Sequence, residues 1–234
     1  MGGFRWKTLL FYGILTFLTL IAIILIVVVN SKTRFASELV ELQVDVILDA
    51  GHGGLDGGAV SPDGVCEAPI TLVVAQKTQA LFGFCGRTAL MTRMDDSSLG
   101  YQADATAREN KNADLHARLA IARKYPKCPF FSIHLNQFSQ AQYAGAQVFY
   151  GGAGEQLAQA LQEALRAALD PENQRVCKPA PEGVFLMRNI QAPAVTVECG
   201  FLSNPEECAK LQQDEYQTKI ALALVSGYER YCRG

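Results

Sequence analysis

A run of 21 residues without a charged side chain, from Leu9 to Val29, constrains this chain more than any other feature. As a helix the run would be roughly 31 Å long, about the thickness of the hydrocarbon core of a bilayer. The sequence therefore predicts one transmembrane helix. The chain then has four parts: a tail at 1–8, the membrane helix at 9–29, a polar linker at 30–43 and one folded domain at 44–234.

Two other interpretations of the apolar run are weaker. A cleavable signal peptide has an apolar region of about 7–15 residues and a small-x-small cleavage site, whereas this run is longer and ends in three valines and an asparagine. A helix packed against the core of a domain this small would be amphipathic, and this run has no polar face. Two basic residues lie on each side of it, so charge does not predict the orientation.

Charge and cysteine content exclude several function classes. The net charge is −2 and no basic stripe is present, so nucleic acid is not an expected partner. The seven cysteines are an odd number without a Cys-x-x-Cys pair, which argues against a disulfide framework and a thiolate zinc site. We interpret most of them as small buried hydrophobes, although an exported domain would allow one or two disulfides. Cys199 is interpreted as a packing residue, because no histidine is assigned as its partner.

Strand-like apolar runs alternate with helical patterns along residues 44–234. The predicted strands are 44–49, 88–92, 129–133, 146–150, 184–187 and 194–198. The predicted helices are 70–84, 114–125, 154–169, 205–212 and 214–231, with polar connections at 95–112 and 170–181. This alternation predicts a single α/β domain with a mostly parallel or mixed six-stranded sheet, covered by helices on both faces.

Two histidines and two glutamates are the candidate site residues. His52 follows the first predicted strand in a glycine-rich turn, His134 follows the third, and Glu198 ends the sixth. Open α/β sheets bind ligands at such strand ends. Together with Glu67, the two histidines make a two-His-one-Glu set, the ligand count of a catalytic zinc site with one position open to water. Glu198 would then be free to act as a general base.

Each of these residues also has a purely structural interpretation. His52 could cap the glycine-rich turn, and His134 could be a hydrogen-bonded histidine at a strand end. Glu67 could be a helix N-terminal charge favoured by the helix dipole, and Glu198 could pair with an arginine. The joint presence of all four favours a site. His116, within a predicted helix, is expected to be an exposed surface residue.

Three segments resemble the signature blocks of the zinc-dependent N-acetylmuramoyl-L-alanine amidases, the Amidase_3 family. These segments are Val46–Gly54, Ser132–Asn136 and Pro193–Asn204. The resemblance covers about residues 44–231, and smaller matches include Thr92-Arg93, the helix that carries Arg118, and Tyr216-Gln217. One departure is Cys199, where the family often has threonine.

The resemblance implies Zn²⁺ held by His52, Glu67 and His134, with Glu198 as the catalytic glutamate. It implies cleavage of the amide between N-acetylmuramic acid and the L-alanine of the peptidoglycan stem peptide. The membrane-anchored domain would then lie outside the cytoplasm, where this substrate is found. Two alternatives are a zinc peptidase acting on wall peptides and a non-catalytic, membrane-anchored wall-binding protein.

The resemblance also implies a cellular role and a mode of control. A single membrane anchor followed directly by a minimal catalytic domain is similar to the arrangement of an amidase of this family that acts on the spore cortex, so we expect a role in cortex maturation or germination. Autoinhibited members carry a plugging helix, for which the stretch Gln137–Ala144 is too short. We therefore expect an active site that is open, or governed by a regulatory or anchoring protein partner.

Overall fold

The computed structural model describes residues 3–38 and 43–234, with side chains placed in 9–28 and 43–234. The chain separates at Gln43 into two compact units. In the first, helix α1 (Gly3–Glu38) contains the apolar stretch Leu9–Val28, which is long and apolar enough to cross a membrane. A signal sequence would have the same properties. The helix continues past the apolar run into the predicted linker, whose residues 39–42 lie outside the described ones, as do residues 1–2 of the predicted tail.

The second unit alternates strands and helices. Its strands are β1 (Val46–Ala50), β2 (Ala89–Met91), β3 (Phe130–Asn136), β4 (Gln147–Gly151), β5 (Lys178–Pro179) and β6 (Ala194–Phe201). Its helices are α2 (Glu67–Phe84), α3 (Ala107–Lys124), α4 (Glu155–Leu169), α5 (Phe185–Asn189), α6 (Pro205–Leu211) and α7 (Asp214–Cys232). The strands form one six-stranded sheet in the order β2-β1-β3-β6-β4-β5, in which only the β4–β6 pair is antiparallel. The prediction of an α/β domain with a mixed six-stranded sheet is confirmed.

Successive side chains of the central strands point to opposite faces, so the sheet has two hydrophobic cores. On one face, alternate residues of β1, β3 and β6 pack against α2, α4 and α7. On the other face, Ile47, Phe130 and Ala194 pack against α3 and α5. Helices therefore cover both faces, as the alternating sequence pattern predicts.

The predicted fifth strand at 184–187 is wrong. That segment belongs to helix α5, and β5 is the two-residue strand Lys178–Pro179 within the predicted connector. A four-residue apolar run is too short for its periodicity to separate strand from helix. β5 lies at the sheet edge, where a proline is tolerated because no central ladder needs its missing N–H.

Two helices begin earlier than the sequence pattern predicts. Helix α3 begins at Ala107, inside the segment 95–112. This segment is predicted as a loop because the first turns of the helix are polar. Thr106 and Glu109 form a reciprocal capping box there, a local signal that marks a helix start without any apolar residue. Helix α2 begins at Glu67 rather than Ile70, so this glutamate lies in the first helical turn.

Candidate active site

On the α3 side of the sheet, the side chains change from apolar to polar along the three central strands. The polar end of this face carries Asp49 of β1, Ser132 and His134 of β3, and Thr196 and Glu198 of β6. Asp49 is the cross-strand partner of Ser132, and His134 is the partner of Glu198. The β3–β6 register shifts directly after His134, an irregularity that often accompanies active sites.

The glycine-rich loop after β1 holds His52 in an unusual backbone conformation. His52 has a φ of 61°, in the left-handed region that favours glycine. The loop is closed by paired backbone hydrogen bonds, from Gly53 N to Asp56 O (2.9 Å) and from Asp56 N to Gly53 O (3.2 Å). The imidazole Nδ1 of His52 lies 3.0 Å from Asp56 Oδ2. The strained backbone and this contact aim Nε2 at Glu67, 3.2 Å away.

Glu67 joins the two histidines. Its Oε1 lies 2.8 Å from His134 Nδ1 and accepts the backbone N–H of Leu135, while its Oε2 faces His52 and accepts the N–H of Ala59. The side chain is only 2% exposed. Burial alone would raise the pKa of Glu67, but the two histidines outweigh burial and hold the pKa far below its usual value. The carboxylate is therefore ionised, as a metal ligand must be.

His52, Glu67 and His134 each offer one ligand atom, and these atoms all lie within 4.8 Å of one another. Two glycines allow this close approach. A Cβ at Gly51 would overlap the ring of His134, and a Cβ at Gly58 would overlap both Glu67 and His52. Two imidazoles and one carboxylate are the donors of catalytic zinc sites, so the residues present fit this metal.

Glu198 lies beside this cluster. Its Oε2 is buried and makes no hydrogen bond within the described part of the chain. Burial and the charge of Glu67 raise the pKa of Glu198 to about 7, against the opposing effect of His134 and His52. A buried carboxyl with a free oxygen and a pKa near neutrality is suited to accept and release a proton. The sequence pattern predicts that the strand ends at Glu198, whereas β6 continues to Phe201.

Two other residues singled out by the sequence lie apart from the cluster. His116 is exposed and packs edge-on against Phe185, with ring centroids 4.9 Å apart. Cys199 is fully buried in the opposite core, and burial raises its thiol pKa well above the usual range. Both positions agree with the structural interpretations expected from the sequence.

The sequence pattern assigned no role to the residues that support the cluster. Arg93 donates from its guanidinium to the carbonyls of Ala50 and Gly51, next to His52. Arg118 lies in α3 and donates to Asp49 Oδ1 (2.6 Å) and to the carbonyl of His52 (2.7 Å). Both arginines are buried, and their only sequence signal was the family match at their positions.

An α/β domain with a three-ligand cluster beside a buried carboxylate is the arrangement of a metal-dependent hydrolase. Residues 46–230 match the Amidase_3 family, described as N-acetylmuramoyl-L-alanine amidase. The chain belongs to this family. It is therefore an enzyme that cleaves the muramoyl–L-alanine amide of peptidoglycan, as the resemblance predicted, and the peptidase and non-catalytic alternatives are not supported.

Individual relatives agree with the family. The chain is 34% identical over 189 residues to the germination-specific N-acetylmuramoyl-L-alanine amidase of Bacillus subtilis, covering 80% of this chain and 78% of that protein. Its fold is similar to that of the CwlD amidase from Clostridioides difficile, solved in complex with the GerS lipoprotein, with a TM-score of 0.77 and 39% identity over 80% of this chain and 98% of that one. It is also similar to amidase AmiC2 of Nostoc punctiforme, with a TM-score of 0.69 and 25% identity over 82% of this chain and 98% of that chain.

Proposed function

We propose that this chain is a zinc amidase in which His52, Glu67 and His134 bind the metal and Glu198 is the general base. The observation that carries the proposal is the convergence of three ligand atoms within 4.8 Å, beside a buried Glu198 oxygen without a hydrogen-bond partner in residues 43–234. The three ligands come from a loop, a helix and a strand, so only the folded domain assembles the site.

The chemistry that a bound zinc supplies is polarisation of the amide carbonyl and activation of water at neutral pH. Glu198 takes the proton of the attacking water on its carboxylate and passes it to the nitrogen of the leaving L-alanine. Glu67 stays ionised throughout, because its oxygens accept the backbone N–H groups of Ala59 and Leu135 and would hold the metal cation. On the same face of the sheet, an apolar core packs β1, β3 and β6 against α3 and α5.

Metal analysis of the detergent-solubilised full chain tests the ligand assignment. We expect one zinc per chain, and we expect His52→Ala and His134→Ala to lose zinc and turnover together. His116→Ala is the matched control, because this exposed histidine lies outside the cluster. Full zinc occupancy and full activity in both ligand variants would overturn the assignment.

We further propose a role in spore cortex maturation or germination. The support is the similarity to an amidase named germination-specific in Bacillus subtilis, which covers 80% of this chain. The full chain should release stem peptides from purified cortex peptidoglycan faster than from vegetative wall, as measured by mass spectrometry of the products. Equal rates on both substrates would contradict the cortex assignment.

Helix α1 is proposed as a retained membrane anchor with the catalytic domain outside the cytoplasm. Its support is the described stretch Leu9–Val28, in which the hydrophobic side chains are exposed, and the location of peptidoglycan. Protease added to intact protoplasts should remove the catalytic domain and leave an N-terminal fragment in the membrane. Protection of the domain, or a mature N-terminus close to residue 36, would contradict the anchor.

A protein partner is proposed to regulate the enzyme. The stretch 137–144 contains no helix, so it offers no plug of the kind found in autoinhibited members. The CwlD amidase was solved with a lipoprotein, which supports a membrane-associated partner here. Affinity capture of the tagged full chain from sporulating cells should retain a lipoprotein that raises activity. Stimulation that comes only from proteolytic trimming would instead indicate an internal plug.

A further inference from the structure

The two histidines of the cluster differ in which ring nitrogen faces Glu67. His134 turns Nδ1 towards Glu67 Oε1, 2.8 Å away, whereas His52 turns Nε2 towards Glu67 Oε2, 3.2 Å away. A neutral imidazole carries its proton on one nitrogen and offers the other as a ligand. In each ring, the nitrogen that faces away from Glu67 is called the remote nitrogen. Its hydrogen-bond partner decides which nitrogen carries the proton, and so which nitrogen can bind a metal.

The remote nitrogen of His134 belongs to a buried relay. Its Nε2 lies 3.1 Å from Ser132 Oγ, and Ser132 donates its hydroxyl to Asp49 Oδ2 at 2.6 Å. Asp49 forms an ion pair with Arg118 at 2.6 Å, and an ionised carboxylate only accepts hydrogen bonds. The hydroxyl proton of Ser132 therefore forms the hydrogen bond to Asp49. The serine oxygen is left to accept a hydrogen from His134 Nε2, which frees Nδ1.

The remote nitrogen of His52 has a different partner at the protein surface. Its Nδ1 lies 3.0 Å from Asp56 Oδ2, and Asp56 is 37% exposed. Gly58 N–H donates to Asp56 Oδ1 at 3.1 Å, and Lys111 Nζ lies 3.7 Å from Oδ2. These contacts hold an acceptor against Nδ1, so His52 carries its proton there and leaves Nε2 free.

We propose that the Ser132–Asp49 relay and Asp56 are positioning elements that fix opposite tautomers in the two histidine ligands. His134 then binds the metal through Nδ1 and His52 through Nε2. The inference rests on the metal site proposed above. The two free nitrogens are the two that face Glu67, so the relays place all three ligand groups around one point.

The difference in backbone explains why the two rings need different supports. His134 lies in a regular strand, where the neighbouring same-face residue of β3, Ser132, is within reach of the ring. His52 lies in a left-handed turn after β1, where the residue four positions on, Asp56, reaches the ring instead. The His134 support is buried and the His52 support is partly exposed, so we expect the buried relay to matter more.

Nitrogen NMR of the full chain in detergent micelles, with ¹⁵N-labelled imidazoles and one equivalent of zinc, tests the inference directly. We expect His134 to be protonated at Nε2 and His52 at Nδ1, with both unprotonated nitrogens shifted by zinc. His116 is the internal reference, because it should not respond to the metal. Binding of both histidines through the same type of nitrogen would overturn the inference but keep the metal site. Absence of any zinc-dependent shift would overturn both.

Zinc affinity, measured by competition with a chromophoric chelator, tests the relay without relying on activity. Ser132→Ala and Asp56→Ala should weaken zinc binding within the range of about 10–100-fold that is usual when the partner of a metal-bound histidine is lost, and the loss should be larger for Ser132→Ala. Ser132→Thr keeps the hydroxyl and should restore affinity to near that of the unchanged protein. Ser203→Ala removes another buried hydroxyl, one that accepts the Phe138 N–H, and should leave affinity unchanged. Equal affinity for Ser132→Ala and Ser203→Ala would overturn the relay.

Discussion

The two faces of the central sheet are built from the same strands, but one face is apolar throughout and the other carries the candidate site. On the α2 and α7 side, alternate residues of β3 and β6 remain apolar along their length, as in Val195, Val197 and Cys199. On the α3 side, the intervening residues begin apolar and become polar, ending in His134 and Glu198. Because side chains alternate between faces, neighbouring residues in one strand can be assigned separately to stability and to chemistry.

Glu198→Gln is expected to give the largest effect and to be confined to chemistry. An amide keeps the shape of the side chain but cannot accept a proton, so kcat should fall on the order of 10²–10⁴-fold. The free energy of unfolding of the metal-free protein should not fall at pH 8, because burial raises the pKa of Glu198 to about 7 and disfavours its charged form in the fold. Turnover assays and urea denaturation measure the two effects.

Two outcomes would correct this assignment of Glu198. If the Glu198→Gln variant stays active, another group must act as the general base. A variant that loses zinc would make Glu198 a ligand. Either result would show that Glu198, although it lies on the polar face of the sheet, does not transfer the proton.

Arg118→Met is expected to show that side chains on the polar face also stabilise the fold. The substitution leaves Asp49 buried without its ion-pair partner, which costs about 3–5 kcal/mol of unfolding free energy. Arg123→Met, on the same helix but exposed, should change stability by less than about 0.5 kcal/mol. Urea denaturation of the two variants makes the comparison. Equal stability would show that the pair with Asp49 is dispensable.

The acid sensitivity of the fold should depend on Asp49. Burial alone would raise its pKa, but Arg118 and the hydroxyls of Ser132 and Thr92 outweigh burial and hold the pKa below the usual 3.8. A carboxyl whose pKa is lower in the folded state stabilises the fold above its unfolded pKa, and this contribution disappears as pH falls through the folded pKa.

Asp49→Asn should therefore lower stability at pH 6 and reduce the further loss below pH 4. Measuring the free energy of unfolding of both proteins from pH 6 to pH 2 tests this. Parallel curves for the two proteins would show that Asp49 titrates alike in the folded and unfolded states.

The sheet, both helical layers and the four candidate site residues that the fold brings together could be predicted from the sequence. These features are encoded in long apolar runs and in short blocks around His52, His134 and Glu198. Weakly patterned elements escaped prediction, as in the polar first turns of α3 and the short segment that forms α5. In both places, local capping and tertiary packing outweigh hydrophobic periodicity.

The supports of the site escaped prediction for a different reason. Asp56 looks like a turn residue, and Ser132 looks like an ordinary strand residue. Their roles depend on which ring nitrogen they face, and that follows from the side-chain geometry of the folded domain. A sequence pattern identifies the groups that can do chemistry, whereas the orientation of each group is set by contacts between distant segments.

Cys199→Ala is expected to give the smallest effect and the sharpest contrast with its neighbour. Cys199 follows Glu198 in β6, but its side chain lies fully buried in the apolar core on the opposite face. Replacing a small buried thiol by a methyl group should cost about 1 kcal/mol of unfolding free energy. The kcat should stay unchanged, because the strand backbone still presents Glu198 to the site. Side-by-side urea denaturation and turnover measurements on the two single variants test this. A fall in kcat as large as that of Glu198→Gln would show that the two faces are coupled through the strand.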